Sequence, residues 1–225
     1  MRISVIIPVF NEENTIAATL ERLRPLKPEE IIVVDGGSTD RTRDILGGAD
    51  VKFVTSPRGR AQQMNRGAEA ATGDLLLFLH ADTALPATAM SDIRSAMEDP
   101  RRVGGRFDIE LDGRRWMFRV IGNLISLRSR LTRIATGDQG IFVRRKVFEN
   151  LGGFPRIPLM EDIAFSRMLK RRGRVACLRS RVITSARRWE KEGVWRTILK
   201  MWALRLLYLA GVSPPRLKRF YGDAR

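Results

Sequence analysis

Polar residues that could bind a cation follow three short apolar runs of the chain. Ile3–Val9 leads into Asn11 and Glu12, Ile31–Val34 into Asp35, and Leu75–Leu79 into His80, Ala81 and Asp82. Continuous runs of Leu and β-branched residues are typical of parallel strands that are buried on both faces. In open α/β sheets the ligand crevice lies beyond the carboxyl ends of such strands. Acids gathered there repel one another, so the pattern predicts a divalent cation and, with it, a phosphate-bearing ligand.

The elements that must position these residues alternate between strand and helix. The further elements predicted, in chain order, are a helix capped by Asn11 and stopped by Pro25, a helix over Thr39–Leu46 capped by Ser38, a strand at Val51–Val54, a helix from about Arg60 to Ala71, and a helix opened by Pro86 with Met90, Ile93 and Met97 inside. This repeated βαβ pattern predicts an α/β fold with a mostly parallel sheet flanked by helices.

Length and cysteine content limit the class of protein. The 225 residues are enough for one sizeable core and too few for two full domains. The single cysteine, Cys177, has no partner for an internal disulfide, which favours a reducing compartment. Neither a secretory leader nor an apolar stretch long enough to span a membrane is visible, so we expect a cytoplasmic protein.

The chain is strongly basic. Its 41 Lys and Arg against 25 Asp and Glu give a net charge of +16, which attracts phosphate-rich partners of several kinds. Acids dominate the predicted strand ends, while cations crowd residues 101–133 and 167–219. A nucleic-acid module would show a basic groove with interleaved aromatics or a known motif, and neither is evident. We therefore expect no nucleic-acid partner.

Several motifs resemble those of one enzyme family in both order and spacing. They are Val5-Ile6-Ile7-Pro8-Val9-Phe10-Asn11-Glu12-Glu13, Val33-Val34-Asp35-Gly36-Gly37-Ser38-Thr39-Asp40, Gly59-Arg60-Ala61 with Asn65 and Gly67, His80-Ala81-Asp82, Leu151-Gly152-Gly153-Phe154, and Met160-Glu161-Asp162. Over about the first 175 residues, this order resembles the large inverting glycosyltransferase family with the GT-A fold. Within it, the chain is most similar to a bacterial subgroup described as arsenosugar-biosynthesis-like, a label that says little about substrate.

The resemblance implies a Rossmann-like GT-A domain over residues 1–180 and a basic helical extension over residues 181–225. Residues 1–100 would bind the nucleotide sugar, most simply a UDP-sugar, and residues 101–180 would hold the acceptor and the catalytic groups. Asp162 occupies the family's position for the catalytic base, and Glu161 beside it would orient the acceptor or tune that base. The residues implied in donor binding are Pro8, Val9, Asn11, Glu12, Asp35, Arg60, Ala81, Arg187 and Arg188.

A nucleoside diphosphate needs a divalent cation to offset its charge as it leaves, and Mg²⁺ or Mn²⁺ prefers oxygen ligands such as those of Asp82. His80 replaces the first Asp of the family's Asp-X-Asp metal motif, so it is either a metal ligand or a polar residue that caps a strand end. Gly36 replaces an Asp that many members carry. These departures motivate an alternative function, a peripheral membrane or scaffold protein that has kept the fold and lost turnover.

Arg187-Arg188-Trp189 resembles the Gln-X-X-Arg-Trp motif of processive polysaccharide synthases, but Ser185 stands at the Gln position. Together with the lack of membrane spans, this favours transfer of a single sugar over polymerisation. The Arg pair could contact the diphosphate of the donor or lie in a solvated cationic loop.

Two stretches bear on the acceptor and on partners. The stretch from Trp116 to Leu131 predicts a helix with Met117, Val120, Ile121, Leu124 and Leu131 on one face and Arg114, Arg115, Arg119, Arg128, Arg130 and Arg133 around it. The stretch Val194–Ala210 is more apolar, but its cations Arg196, Lys200 and Arg205 do not share one face. Packing on the domain, or a homodimer contact, is favoured for both stretches over attachment to an anionic membrane surface at the inner face of the cell membrane. The acceptor is then a small molecule or a lipid.

Overall fold

The computed structural model describes residues 1–113 and 115–221. Arg114 and residues 222–225 of the predicted C-terminal extension lie outside the described residues. The strands are β1 Ile3–Val9, β2 Glu30–Asp35, β3 Lys52–Thr55, β4 Leu75–Phe78, β5 Thr83–Ala84, β6 Arg102–Asp112, β7 Ile141–Arg144 and β8 Arg174–Ser185. The helices are α1 Ile16–Leu23, α2 Thr42–Gly47, α3 Arg60–Ala70, α4 Ala89–Ala96, α5 Trp116–Thr132, α6 Arg145–Asn150, α7 Glu161–Leu169, α8 Arg187–Glu192, α9 Val194–Leu209 and α10 Pro214–Tyr221. Short 3₁₀ turns cover Arg24–Leu26 and Gly137–Gln139.

The strands form one mixed sheet in the order β3-β2-β1-β4-β7-β6-β8-β5. The first four are parallel to one another, as the apolar runs predict, because β1 pairs in parallel with β2 and β4, and β2 with β3. Strand β7 is antiparallel to both β4 and β6, while β6 and β8 are parallel. The mostly parallel α/β sheet expected from the sequence is confirmed, and the carboxyl ends of β1, β2 and β4 meet at one edge.

Helices cover both faces of the sheet, which explains why its central strands are apolar throughout. One core cluster contains the inward side chains of α1 and α4, including Ile16, Leu20 and Ile93. The other contains those of α3, α6 and α7, including Met64, Phe148 and Phe165. Gly67 lets α3 lie close to the sheet, because a Cβ at that position would be 2.4 Å from a methyl carbon of Ile6.

Two predicted helix caps are wrong. Asn11 has a φ of 54°, and α1 begins only at Ile16; the Asn11 side chain instead accepts a hydrogen bond of 2.9 Å from the Thr39 backbone N–H. Helix α2 begins at Thr42 rather than Thr39, and Ser38 Oγ accepts a hydrogen bond of 2.9 Å from the Asn11 backbone N–H. In both cases the polar side chain bonds across the strand-end loops, because a tertiary partner there competes with the local helix end.

The helix predicted from Trp116 forms, but of the five residues on its predicted apolar face only Ile121 is buried. In α5 the buried residues are Phe118, Ile121, Gly122, Ser126 and Ser129, whereas the large residues Val120, Leu124 and Leu131 are exposed. The reason is close packing on β6: a Cβ at Gly122 would lie 2.8 Å from the Ile109 carbonyl oxygen, and Ser126 Oγ accepts a hydrogen bond from the Ile109 N–H. Gly122 and Ser126 therefore lie against β6, and Val120, Leu124 and Leu131 point outward.

The last third of the chain is continuous with the sheet. Strand β8 crosses the predicted boundary at residue 180 and pairs with β5 and β6 up to Ser185, and the division at that residue stays a prediction. Helices α8 to α10 follow, with Val194 and Leu217 buried against neighbouring elements. Within residues 1–113 and 115–221, none of the helices combines the length and the apolar character that crossing a bilayer requires.

Candidate active site

A polar crevice opens at the edge where β1 and β4 end. Its volume is about 540 Å³ including the open mouth, and its walls carry eight of the residues predicted from the sequence together with Ser185. The eight are Pro8, Glu12, Arg60, His80, Ala81, Asp82, Arg187 and Arg188. The three other residues predicted to bind the nucleotide sugar do not line the crevice. Val9 is buried in the core, Asn11 lies in the loop after β1, and Asp35 ends β2. Residues that are up to 180 positions apart in sequence therefore share one hollow.

The Asp35 carboxylate is fully buried and bonded within its own turn. It accepts hydrogen bonds from the backbone N–H groups of Gly37 and Ser38, from Ser38 Oγ, and from Arg43 Nε at 2.9 Å. These bonds fix the loop after β2, and Ser38 Oγ in turn accepts a bond of 2.9 Å from the Asn11 backbone N–H. Asp35 thereby ties the two strand-end loops together. A direct contact between its carboxylate and a bound nucleotide sugar stays a prediction.

The Gly36 position has a structural explanation. A Cβ at Gly36 would lie 3.0 Å from the side-chain amide of Gln63. Gln63 Nε2 donates to the carbonyl oxygens of Val9 and Val34 at 2.7 and 2.9 Å, so it joins the ends of β1 and β2 from the first turn of α3. A longer side chain at position 36 would displace this amide. Gly36 therefore leaves room for the Gln63 side chain that joins the two strand ends.

The Gly-Gly-Phe segment positions the acids of α7. Gly152 and Gly153 both have positive φ, which glycine adopts without strain. They turn the chain so that Phe154 enters the core. Its ring centroid is 4.4 Å from that of Phe165 and 4.8 Å from that of Phe78. Asn65 holds the same segment by accepting from the Phe154 N–H and donating to its carbonyl oxygen. The loop from there leads directly to the start of α7.

Glu161 and Asp162 form the first turn of α7. Asp162 Oδ2 accepts a hydrogen bond of 2.8 Å from the Gly137 N–H, and Oδ1 one of 2.7 Å from the Ile163 N–H. Burial, followed by repulsion from Glu161 and Asp138, raises the pKa of Asp162 to about 7, and these backbone donors only partly oppose the rise. A carboxyl group with that pKa can both accept and release a proton near neutral pH.

His80 and Asp162 face one another across Gly137. The position that a Cβ of Gly137 would occupy is 2.6 Å from His80 Nε2 and 3.9 Å from Asp162 Oδ2. The end of β4 and the start of α7 are thus brought together, although 82 residues separate these two side chains in sequence. No side chain larger than hydrogen fits at position 137 without moving His80.

Arg60 connects the two sides of the crevice. Burial by itself lowers the pKa of Arg60, but the charges of Tyr221, Glu161, Asp82 and Asp162 outweigh that effect and raise it. The guanidinium group, which keeps contact with solvent, therefore lies within the electrostatic reach of both the strand-end acid and the α7 acids. Arg188 lies nearby, with its guanidinium carbon 4.2 Å from the centroid of the Tyr221 ring.

Sequence reasoning missed Gly137, Asp138, Arg128 and Tyr221. Asp138 contributes to the raised pKa of Asp162, and burial lowers the pKa of Arg128 although Asp138 and Asp162 act against that change. Arg128 Nε and Nη2 are buried without a hydrogen-bond partner among the described residues. Burial, opposed by Arg60 and Arg188, raises the pKa of Tyr221. The acid Asp138 in the Thr-Gly-Asp-Gln segment was the one available signal; Tyr221 reaches the site only through the packing of α10.

The candidate metal ligands fit a cation that is held largely by its substrate. Within the described ranges there is no cluster of three or more His, Cys, Asp or Glu side chains able to hold a metal by themselves. Asp82 and His80 are two candidate metal ligands on the crevice wall. Mg²⁺ sites of this kind use one or two protein ligands and complete the shell with phosphate oxygens and water.

Comparison with known proteins identifies relatives. The family model described as "Glycosyl transferase family 2" matches residues 4–152. A PGL/p-HBAD biosynthesis glycosyltransferase of Mycobacterium bovis is 31% identical over 164 residues, which cover 67% of this chain and 62% of that protein. A glucosyl-3-phosphoglycerate synthase of Mycolicibacterium smegmatis is 34% identical over 96 residues, or 37% of this chain and 32% of that protein. The chain thus spans less than two thirds of the length of these curated relatives.

Solved structures share the fold. The mannosyltransferase PcManGT from Pyrobaculum calidifontis, in complex with GDP-Man and Mn²⁺, superposes with a TM-score of 0.69 at 22% identity, over 97% of this chain and 67% of that one. Glucosyl-3-phosphoglycerate synthase from Mycobacterium tuberculosis, in complex with Mn²⁺, UDP and glucosyl-3-phosphoglycerate, gives a TM-score of 0.63 at 20% identity, over 94% of this chain and 80% of that one. TarS of S. aureus, in complex with UDP-GlcNAc, gives 0.63 at 19%, over 82% and 58%.

Proposed function

Because the chain belongs to glycosyl transferase family 2, we propose that it transfers one sugar from a nucleotide-diphosphate-sugar donor to a hydroxyl group of a small-molecule or lipid acceptor. The observation that carries this proposal is the approach of His80, which lines the crevice together with Asp82, to an Asp162 whose pKa is about 7. One half of the site suits a diphosphate and the other suits a hydroxyl group that must lose its proton.

Asp162 acts as the catalytic base. Its ionised carboxylate takes the proton of the acceptor hydroxyl while that oxygen attacks the anomeric carbon, and the bond from that carbon to the nucleoside diphosphate breaks. Direct displacement from the opposite face inverts the anomeric configuration. A base with a pKa of about 7 combines a sizeable ionised fraction at neutral pH with a strong affinity for the proton. Glu161 keeps this pKa high through its charge, and Gly137 orients the carboxylate through its N–H.

The donor occupies the strand-end crevice. Arg60, Arg187 and Arg188 place three guanidinium groups on its walls, and guanidinium is well matched to diphosphate oxygens. Asp82, with His80, would hold a divalent cation, and such a cation would offset the charge of the departing diphosphate. The Mn²⁺ in the structures of the P. calidifontis and M. tuberculosis proteins supports this assignment. A UDP-sugar is the donor we propose first, since UDP or UDP-GlcNAc is bound in structures of two of the similar proteins, TarS and the M. tuberculosis synthase.

Two further predictions from the sequence belong to this proposal. One is membership of the arsenosugar-biosynthesis-like subgroup, which does not name a substrate, and the other is a cytoplasmic location. A scaffold without turnover is less well supported, because Gln63 gives Gly36 a structural reason and His80 lies beside Asp162.

The test is donor hydrolysis and transfer by the purified protein. UDP-glucose, UDP-GlcNAc and GDP-mannose are each supplied with Mn²⁺ or Mg²⁺, and release of the nucleoside diphosphate is measured with Asp162→Asn and Asp82→Asn as comparisons. We expect release with at least one donor, and loss in both variants. Activity that both substitutions leave intact would contradict the assigned roles, and a protein that binds none of the donors in a thermal-shift assay would support the scaffold.

A further inference from the structure

Exposed apolar side chains are concentrated on three helices of this protein. Of the fifteen large apolar side chains that are exposed among the described residues, five lie on α5, six on α9 and one on α10. Soluble surfaces normally carry such residues singly, and a contiguous patch marks an interaction surface. The distribution therefore points to one face of the molecule.

Most exposed apolar residues of each helix form a stripe. On α5 they are Trp116, Val120, Leu124, Leu127 and Leu131, and on α9 Trp195, Leu199, Trp202, Leu206 and Leu209, whereas the sixth exposed residue of α9, Leu207, lies outside the stripe. With 3.6 residues per turn, each set falls within an arc of about 80° around its helix axis. We call these ten residues the apolar face. Leu131 and Trp195 are 77% and 72% exposed, so the domain itself does not cover the face.

One side of each helix packs into a shared cluster. Phe118 and Ile121 of α5 are buried there together with Val194 of α9, and Ile198 of α9 packs against them, while Leu204, on the side of α9 opposite its stripe, is buried in a second cluster with Leu217. Helix α5 is further fixed by Arg130, which pairs with the buried Asp108 of β6. Both helices are thus anchored in a shared cluster, while their apolar stripes stay exposed.

The surroundings of the apolar face are cationic. Neither α5 nor α9 contains an Asp or Glu, and residues 193–221 contain six Lys or Arg and no acid. On the helical wheel of α9, Arg196 and Arg205 lie on opposite sides of the stripe, and Arg119 borders the stripe of α5. None of these three forms an ion pair within residues 1–113 and 115–221. Arg196 and Arg205 therefore flank the stripe of α9, and Arg119 flanks that of α5.

We propose that the apolar face docks onto an anionic lipid bilayer. Apolar residues would enter the boundary between headgroups and acyl chains, Trp116, Trp195 and Trp202 would lie at the headgroup level, and the flanking arginines would contact lipid phosphates. A second copy of the chain is a poorer occupant, because a two-fold contact places the same unpaired cations opposite one another. The proposal stands on a different surface from the crevice and does not depend on glycosyl transfer.

The experiment is vesicle flotation with the full-length protein. Vesicles of phosphatidylcholine alone are compared with vesicles containing 30% phosphatidylglycerol, at low and high salt. We expect binding to the anionic vesicles that weakens as salt rises, and at least a tenfold loss in the variant Leu124→Gln/Leu127→Gln/Leu199→Gln/Leu206→Gln. The variant Arg119→Glu/Arg196→Glu should lose about fivefold or more per residue changed.

A matched control carries Phe53→Gln and Ile183→Gln, which remove exposed apolar side chains on β3 and β8 and should leave binding unchanged. Melting temperature and donor hydrolysis in vesicle-free buffer verify that the apolar-face variant is folded and separate this proposal from the proposed function. Binding that the apolar-face variant retains would overturn the proposal. So would a wild-type protein that ignores anionic vesicles but forms a dimer, by light scattering, that the same variant abolishes; a second copy would then be the occupant.

Discussion

Asp35 and Asp162 are both largely buried acids beside the same strand ends, yet their surroundings differ in kind. Asp35 accepts four kinds of hydrogen bond from its own turn and from Arg43, whose guanidinium balances its charge. Asp162 accepts two backbone hydrogen bonds and has Glu161 and Asp138 as neighbours. The first carboxylate is saturated with hydrogen-bond donors, whereas the second accepts fewer hydrogen bonds and lies near two other acids as well as within electrostatic reach of Arg60 and Arg128.

The comparison teaches where chemistry resides in this site. A carboxylate that is saturated with hydrogen-bond donors holds a loop in place. A carboxylate that is buried among other acids holds a proton more tightly and can exchange it near neutral pH. We therefore propose that the turn of Asp35 is structural and that Asp162 transfers the proton, and each of the following experiments acts on one side of that contrast.

The largest effect is expected from Asp162→Asn. The amide keeps the shape of the side chain but cannot accept the acceptor's proton, so kcat should fall by about 10³-fold or more. Donor binding, measured by the thermal shift that the nucleotide causes, should persist. A variant with near-normal transfer would move the base elsewhere in the site.

Asp82→Asn is expected to act on the donor side. Removing a charged oxygen ligand should weaken metal-dependent nucleotide binding and lower kcat/KM by about 10²-fold. The readout is the rise in melting temperature with UDP plus Mn²⁺ against UDP alone, which should largely disappear. Asp92→Asn, on α4 and outside the crevice lining, is the matched control; an undiminished Mn²⁺ effect in Asp82→Asn would refute the role of Asp82 as a ligand.

The raised pKa of Asp162 predicts a pH-dependent stability. The carboxyl titrates near 3.8 in the unfolded chain and near 7 in the folded one, so the folded state binds the proton more tightly and stability falls as pH rises from about 4 to 7. Asp162→Asn removes that loss, so its stability relative to wild type should rise by about 2 kcal/mol from pH 5 to pH 8, on top of a pH-independent cost because its N–H₂ must face one of the N–H groups of Gly137 and Ile163. Urea unfolding at the two pH values measures it, and an equal difference at both would mean that the group is ionised throughout.

Asp35→Asn should cost stability rather than chemistry. The amide places an N–H₂ among hydrogen-bond donors and leaves Arg43 without its counterion, which should lower the free energy of unfolding by about 1–3 kcal/mol. Its kcat at saturating donor should change by only a few fold. A loss of kcat as large as that of Asp162→Asn, in a folded protein, would erase the distinction between the two acids.

Local pattern accounts for much of the fold. The runs Ile3–Val9 and Leu75–Leu79 identified strands within a residue of their observed ends, since a run that is apolar on both sides can be satisfied only inside a covered sheet. The helix of Arg60 was predicted equally well. The caps at Asn11 and Ser38 were not, because their side chains bond to a neighbouring loop about 28 residues away rather than to the nearest helix.

The sequence by itself determined which residues could do chemistry: the strand-end acids, the Glu161–Asp162 pair, the arginines and a single histidine follow from residue type and order. Only the tertiary structure decided what each one does. It saturated Asp35 with donors, placed Asp138 and Gly137 beside Asp162 and His80, and turned the small side of α5 toward β6 so that its large residues face outward. Burial, like-charge proximity and close backbone packing are properties of residues far apart in the chain, and no local pattern encodes them.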